Sequence, residues 1–269
     1  MAVKKVMITG VYGLIASAIY EHLVKQPEKY DVYAMARRRT SSSRAPEGRS
    51  LDIADEKFFI ADLSDLNALR AVFEGMDCVV HMAADPDPAS AWKSILHSNI
   101  IGGYHAFEAC RLAQVSRVIF ASSGGLMLGY LNDEPYKAIS QCRFDDVPDE
   151  LPVLTHLDPP RPTEPYTASK VWGEALARCY ADVHGLSCIC LRIGWVNSED
   201  QPVDPSLAWV WCSQRDIAQL VQRCIDAPDE LRFDVFYGTS NNKHNFFDTS
   251  HARQVVGYVP QDRAEGWVR

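Results

Sequence analysis

The chain has 269 residues, 47% of them hydrophobic and 23% charged, which suits one large α/β domain with a substantial core. A formal charge of −8 argues against a nucleic-acid or anionic-membrane surface, and no apolar run approaches the roughly 20 residues that a membrane span needs. Met1 to Lys5 lead directly into an apolar strand with no leader-like segment, and the eight cysteines are scattered without C-x-x-C or His/Cys ligand spacing. Reduced thiols, a cytoplasmic location and no metal are therefore expected.

In chain order, "KVMITG" reads as a strand, and Leu14, Ile15, Ala18, Ile19 and Leu23 then recur at helical spacing. Between them "TGVYGLIA" places Gly10, Gly13 and Ala16 where a tight turn brings backbone N–H groups and a helix N-terminus against a pyrophosphate. Gly10, Tyr12, Gly13, Leu14 and Ile15 are the expected contacts. The second strand, "DVYAMA", ends at Ala36, where an NAD site usually places an acid, and Arg37, Arg38 and Arg39 follow. Guanidinium groups suit a 2′-phosphate, so NADP(H) is preferred over NAD(H); a solvated basic loop is the plainer alternative. "KFFIAD" is a third strand. Asp62 at its end can accept from an adenine amino group or cap a helix starting near Ser64, with Leu63 beside the cofactor.

A helix is expected at about 64–74, a strand at "CVVHMAA", a longer helix at about 90–113, and a strand at "RVIFASS". Phe120 and Ala121 end that strand, leaving the hydroxyls of Ser122 and Ser123 at the reactive end, with Gly124 and Gly125 leaving open space for substrate. Residues 131–165 hold seven prolines and read as an irregular excursion. A helix follows at about 167–184, preceded by "PYTASK", in which Tyr166 and Lys170 share one face at i, i+4. A phenol with a free pKa near 10 needs a nearby ammonium to become a base at neutral pH, and this spacing supplies one. "SCICLRIG" is a further strand, and the tail reads as a substrate-side lobe. Continuous apolar strands separated by helices describe a Rossmann-like, doubly wound parallel sheet in a single domain over 1–269. Its cofactor core covers about 1–125 and 165–195, and its substrate side about 126–164 and 196–269.

Together "TGVYGLIA", "FFIADLSD", "VVHMAAD", "SNIIGGYHAFEAC", "VIFASS", "YTASK" and "LRIG" resemble the extended short-chain dehydrogenase/reductase family, which includes the NAD-dependent epimerase/dehydratase proteins. "HMAADPDP", "WCSQRDIAQL" and "YGTSNN" look most like its short-tailed sugar dehydrogenases, the uronate and haloarchaeal glucose-6-phosphate dehydrogenases. The resemblance implies that Tyr166 is the acid/base, Lys170 its partner and the holder of the nicotinamide ribose, and Ser123 the substrate-polarising hydroxyl. Asn99 matches a family asparagine with a catalytic and cofactor-side role. Ala83 and Ala84 would line the cofactor and Ile193 the nicotinamide, with Asp85, Ser122, Ser123, Gly124 and Trp195 on the substrate side. Those relatives follow the paired serines with Asn-His and carry an arginine near the position of Ser206. Gly124, Gly125 and "DPSLAWVWCS" stand here instead, which favours an uncharged or more apolar substrate.

The implied activity is a dehydrogenase/reductase interconverting hydroxyl and carbonyl on a sugar-like compound. An NAD-retaining epimerase or dehydratase and a non-catalytic dinucleotide sensor are the alternatives. Arg215 is a candidate anion contact or a partner of Asp216 or Asp226. Apolar residues on several sides of the helices at 90–113 and 167–184 permit a homodimer or higher homo-oligomer.

Overall fold

All six apolar runs read as strands pair in one parallel sheet. The computed structural model describes residues 2–265. Its strands are β1 (Lys4–Thr9), β2 (Tyr30–Ala36), β3 (Phe58–Ile60), β4 (Cys78–His81), β5 (Arg117–Ser123), β6 (Ser187–Ile193) and β7 (Phe233–Gly238), in the order β3-β2-β1-β4-β5-β6-β7. Neighbours run parallel throughout, as in Lys4↔Tyr30 and Cys78↔Arg117. The helices are α1 (Leu14–Leu23), α2 (Leu66–Phe73), α3 (Trp92–Ile95), α4 (Gly102–Leu112), α5 (Tyr136–Ser140), α6 (Pro165–His184), α7 (Gln214–Ile225) and α8 (Ser250–Val256). A π-helical turn, Leu96–Ile101, joins α3 to α4. Strand order reverses direction between β1 and β4, and a doubly wound sheet binds its ligand beyond the strand ends at that point.

Alternation decides which layer each strand residue joins. Val6 and Ile8 of β1, Ile119 of β5 and Ile189 and Leu191 of β6 face one core, with Ile19 of α1 and Leu220 and Cys224 of α7. Met7, Val79, Val118, Cys188 and Cys190 face the other, with Leu69 of α2, Phe107 of α4 and Tyr180 of α6. Six of the cysteines are buried and all eight are free. A third cluster lies outside the layered sandwich: Leu126, Met127, Tyr136, Leu154, Trp209, Phe246 and Phe247 join the excursion after β5 to the tail.

Several expected boundaries move for local reasons. β5 continues through Ser122 and Ser123, which pair with Arg192 and Ile193 of β6. α6 starts at Pro165 because the Glu164 carboxylate accepts from the N–H groups of Tyr166 at 2.6 Å and Thr167 at 3.1 Å, a side-chain N-cap followed by proline at N1. α2 is capped by Asp65, whose carboxylate accepts from Ala68 N at 2.9 Å, and not by Asp62. The tail yields α7, β7 and α8, which its mixed pattern did not announce. Arg117, buried at the start of β5, fastens that addition by donating to the carbonyls of Ala227 at 2.6 Å and Pro228 at 2.7 Å.

Candidate active site

Gly10 leaves β1 with φ +69°, and a Cβ there would lie 2.9 Å from the Ala83 Cα, so both the left-handed backbone and the approach of the β4 loop demand glycine. Gly13 forms the N-cap of α1 and no side chain caps the helix. The first-turn N–H groups, those of Leu14 and Ile15 among them, are left for an anion. This cradle, which a side chain at Gly10 would fill, fits the pyrophosphate of a dinucleotide. Gly10, Tyr12, Gly13, Leu14 and Ile15 all line one cleft of about 970 Å³ that runs from this turn to Tyr166.

At the far end of the cleft, Arg37 and Arg38 line it together with Asp62 and Leu63. Arg39 is committed elsewhere: it pairs with Asp55 at 2.7 Å and lies 4.4 Å over the Phe58 ring. Only the first two arginines of the run therefore serve the cleft. The Asp62 carboxylate accepts from Ser64 N at 2.8 Å, and bonds from Ser64 hold its pKa below the usual range, so it is an anion at neutral pH.

Ser123, Tyr166 and Lys170 converge at the other end, from the close of β5 and the first turns of α6. The Ser123 hydroxyl accepts from Gly125 N at 3.0 Å and, with the Tyr166 phenol, lines the cleft. Lys170 is buried, donates to the Ala121 carbonyl at 2.8 Å, and sits 5.7 Å from the Tyr166 ring centre. Burial lowers its pKa to about 8. Burial raises that of Tyr166, and the Ser123 hydroxyl opposes the rise.

Other expected residues are placed differently. Asn99 spends its side chain as a tie, accepting from Asp85 N at 2.8 Å and donating to Asp85 O and Ser169 Oγ, each at 3.0 Å. It sits in the π-helical turn, which brings its buried amide between the β4 loop and α6. It is a positioning residue, not a group facing the reactants. Asp85 lines the cleft, but its carboxylate accepts from Ser90 Oγ at 2.8 Å, from Asp87 N at 3.1 Å and from Ser94 Oγ. The Ser122 hydroxyl turns away from the reactive end, donating to buried Glu174 at 2.6 Å. Glu174 holds Arg192 through two contacts, at 3.0 and 2.9 Å. Gly124 is buried and gives no open space: a Cβ there would meet the Phe247 ring at 2.9 Å. At Gly125 one would meet Thr167 Cγ2 at 2.8 Å. The room expected at Gly124 is filled from the tail, whereas Gly125 lines the cleft. Ala83, Ala84, Ile193 and Trp195 do line the cleft.

Among the residues missed in the sequence are apolar ones: Leu128, Val196, Leu207 and Val210 line the same cleft. Arg44 also lines it and donates to Pro86 O at 3.3 Å. None belongs to a chemical motif, so no pattern singles them out. Of the tryptophans, Trp209 and Trp211 are core and Trp195 faces the cleft. Arg215 pairs with Asp262, not with Asp216 or Asp226. Although no ligand spacing was legible, the fold brings His156, Asp234 and His251 together, with potential ligand atoms within 4.8 Å. The two rings stack at 4.0 Å, 14° from parallel, and His251 bonds Asp234 at 2.8 Å. That is a stacked, hydrogen-bonded pair, not lone pairs converging on one cation.

The family model described as NAD dependent epimerase/dehydratase family matches residues 6–206. The NAD-dependent glucose-6-phosphate dehydrogenase of Haloferax volcanii is 30% identical over 97% of this chain and 94% of its own length. L-arabinose 1-dehydrogenase (NAD(P)(+)) of the same organism is 31% identical, covering 97% of each. Among solved structures, uronate dehydrogenase from Agrobacterium tumefaciens superposes with a TM-score of 0.78 at 29% identity, over 98% of this chain and 87% of that one.

Proposed function

We propose, on the premise that the chain belongs to the NAD dependent epimerase/dehydratase family, that it is an NAD(P)-dependent dehydrogenase interconverting a hydroxyl and a carbonyl on a sugar-like compound. Relatives named as dehydrogenases of glucose 6-phosphate and L-arabinose support the reaction class. The observation that carries it is the convergence of Ser123, Tyr166 and Lys170 on the same cleft as the Gly10 turn. The dinucleotide supplies the hydride acceptor for oxidation and the donor for reduction. Tyr166 takes the hydroxyl proton in oxidation and returns it in reduction. Ser123 holds the reacting oxygen beside it. Lys170, anchored on Ala121 O, sets the floor of the site, from which it would hold the ribose hydroxyls of a bound dinucleotide.

NADP(H) is the proposed preferred cofactor, because Arg37 and Arg38 line the far end without an ion pair among the described residues and no acid closes β2. A homodimer is proposed through the helices that carry exposed Trp92 and Tyr104, beside a groove walled by Trp92, Ile100, Ala168 and Trp172. A cytoplasmic setting agrees with eight free thiols; among the described residues no helix is long and apolar enough to cross a membrane. The decisive experiment titrates NADPH and NADH by fluorescence and then screens sugars with the tighter cofactor, following the nicotinamide absorbance. Conversion of sugar with no net absorbance change would instead mark a cofactor-retaining epimerase.

A further inference from the structure

We infer that the substrate end of the cleft is built for an uncharged polyhydroxylated ring laid against Trp195, and that it selects against carboxylated and phosphorylated analogues of that ring. This rests on the dehydrogenase reading above and adds the charge of the substrate.

Three observations carry it. The first is that Trp195 is fixed in place. Its N–H donates to Val210 O at 2.9 Å, and its carbonyl accepts from Cys212 N at 2.9 Å. A Cβ on the preceding Gly194 would lie 2.2 Å from Val210 O, so this backbone is pressed tightly against the neighbouring segment. The indole lines the cleft in company with Leu128, Leu207 and Val210. An aromatic face carried on a fixed backbone beside aliphatic walls suits the C–H face of a pyranose.

The second observation is that the acidic groups in and beside the walls already have partners. Asp85 is engaged by Ser90, Ser94 and a backbone N–H, and Glu164 caps α6. Asp204, next to the Leu207 wall, accepts from both the N–H and the hydroxyl of Ser206. Ser123 and Tyr166 are left to grip one hydroxyl, which matches a ring oriented by a single reacting position.

The third is the sign of the charge. Asp85 and Glu164 line this end, and so does Asp87. Against them stands Arg44, exposed at the mouth, bonded to Pro86 O and 3.8 Å from Asp87. Lys170 is spent on Ala121 O below the floor, and Arg37 and Arg38 lie at the other end, beside Asp62. A carboxylate or phosphate on the ring would lose water, would have to compete with Asp87 and Pro86 O for Arg44, and would sit among the negative charges of Asp85, Asp87 and Glu164.

The test uses sugars that differ only at one carbon: D-glucose, D-glucuronate and glucose 6-phosphate, then D-galactose and D-galacturonate, each with NAD+ and NADP+. The expected result is a kcat/KM for the neutral sugar at least about 100-fold above its charged partners. A charged member turned over as well as or better than its neutral partner overturns the inference and leaves the dehydrogenase reading standing. No turnover of any member by cofactor-loaded protein overturns the sugar-dehydrogenase reading and this inference with it. Three variants sharpen the result. Trp195→Ala should raise KM for the neutral sugar about tenfold with a smaller change in kcat, and Trp195→Phe should recover most of that loss. Leu207→Arg, at the half-buried lip, should shift the glucuronate-to-glucose ratio at least about tenfold toward glucuronate. An unchanged KM in Trp195→Ala, or an unmoved ratio in Leu207→Arg, counts against it.

Discussion

Tyr166 is where side-chain chemistry is most exposed to test. Tyr166→Phe keeps the ring and its packing and removes one oxygen, so turnover should fall by about 10²–10⁴-fold while cofactor affinity is retained; stopped-flow turnover and a fluorescence titration measure the two separately. Because burial raises the phenol pKa, the two directions should answer pH oppositely. Reduction needs the protonated phenol and should stay flat through neutral pH, falling only at high pH. Oxidation needs the phenolate and should climb with pH across the alkaline range; profiles of kcat/KM in both directions check this. An oxidation rate independent of pH would mean that another group takes the proton. Gly124 shows how one atom decides a site's shape: Phe247, from the tail, stands where its side chain would be, so the reactive end is shaped by a residue 123 positions away.

Helices and loops act through their ends. The segment after β2 carries Arg37 and Arg38 into the cleft and turns Arg39 out to Asp55 and Phe58. Replacing Arg37 and Arg38 together by alanine should therefore weaken NADPH binding by about 10- to 100-fold and NADH binding far less, since hydrogen bonds to charged groups contribute about 1.5–3 kcal/mol each. Equal losses for both cofactors would assign the pair a general, not a phosphate-specific, role. The first turn of α2 makes a simpler case. Asp65 satisfies Ala68 N, so Asp65→Ala should cost about 1 kcal/mol in chemical denaturation with unchanged turnover, whereas Asp62→Ala should act on the cofactor. The π-helical turn at Leu96–Ile101 is the third device: it places Asn99 to tie the β4 loop to α6, holding the walls of the cleft at a set distance.

Across the molecule, layers are joined by buried polar ties as well as by apolar packing. Glu174 of α6, Arg192 of β6, Ser122 of β5 and Tyr237 of β7 form one hydrogen-bonded set in the interior. Arg192 and Glu174 are both nearly sealed from solvent. Removing one partner leaves the other charged and dry, so Glu174→Ala should cost about 3–5 kcal/mol in denaturant unfolding, with no large change in the cofactor preference of protein that remains folded. The set lies directly behind the reactive end, and the same substitution frees the Ser122 hydroxyl next to Ser123.

The layered sheet was legible in the amino acids alone because each strand is a continuous apolar run and each covering helix repeats at its own period. The glycine turn and the Tyr166–Lys170 spacing were legible for the same reason, since local geometry dictates both. β7, α7 and α8 were harder to read: their apolar residues are interleaved with charge, and they gain their place through long-range contacts such as Arg117 to Ala227 and Pro228. The substrate end was not legible either. Its walls come from Leu128, Trp195, Leu207 and Val210, with Phe247 closing over Gly124. Distances between segments far apart in the chain leave no periodic mark, so folding alone set Phe247 over Gly124 and engaged the Asn99 amide between Asp85 and Ser169.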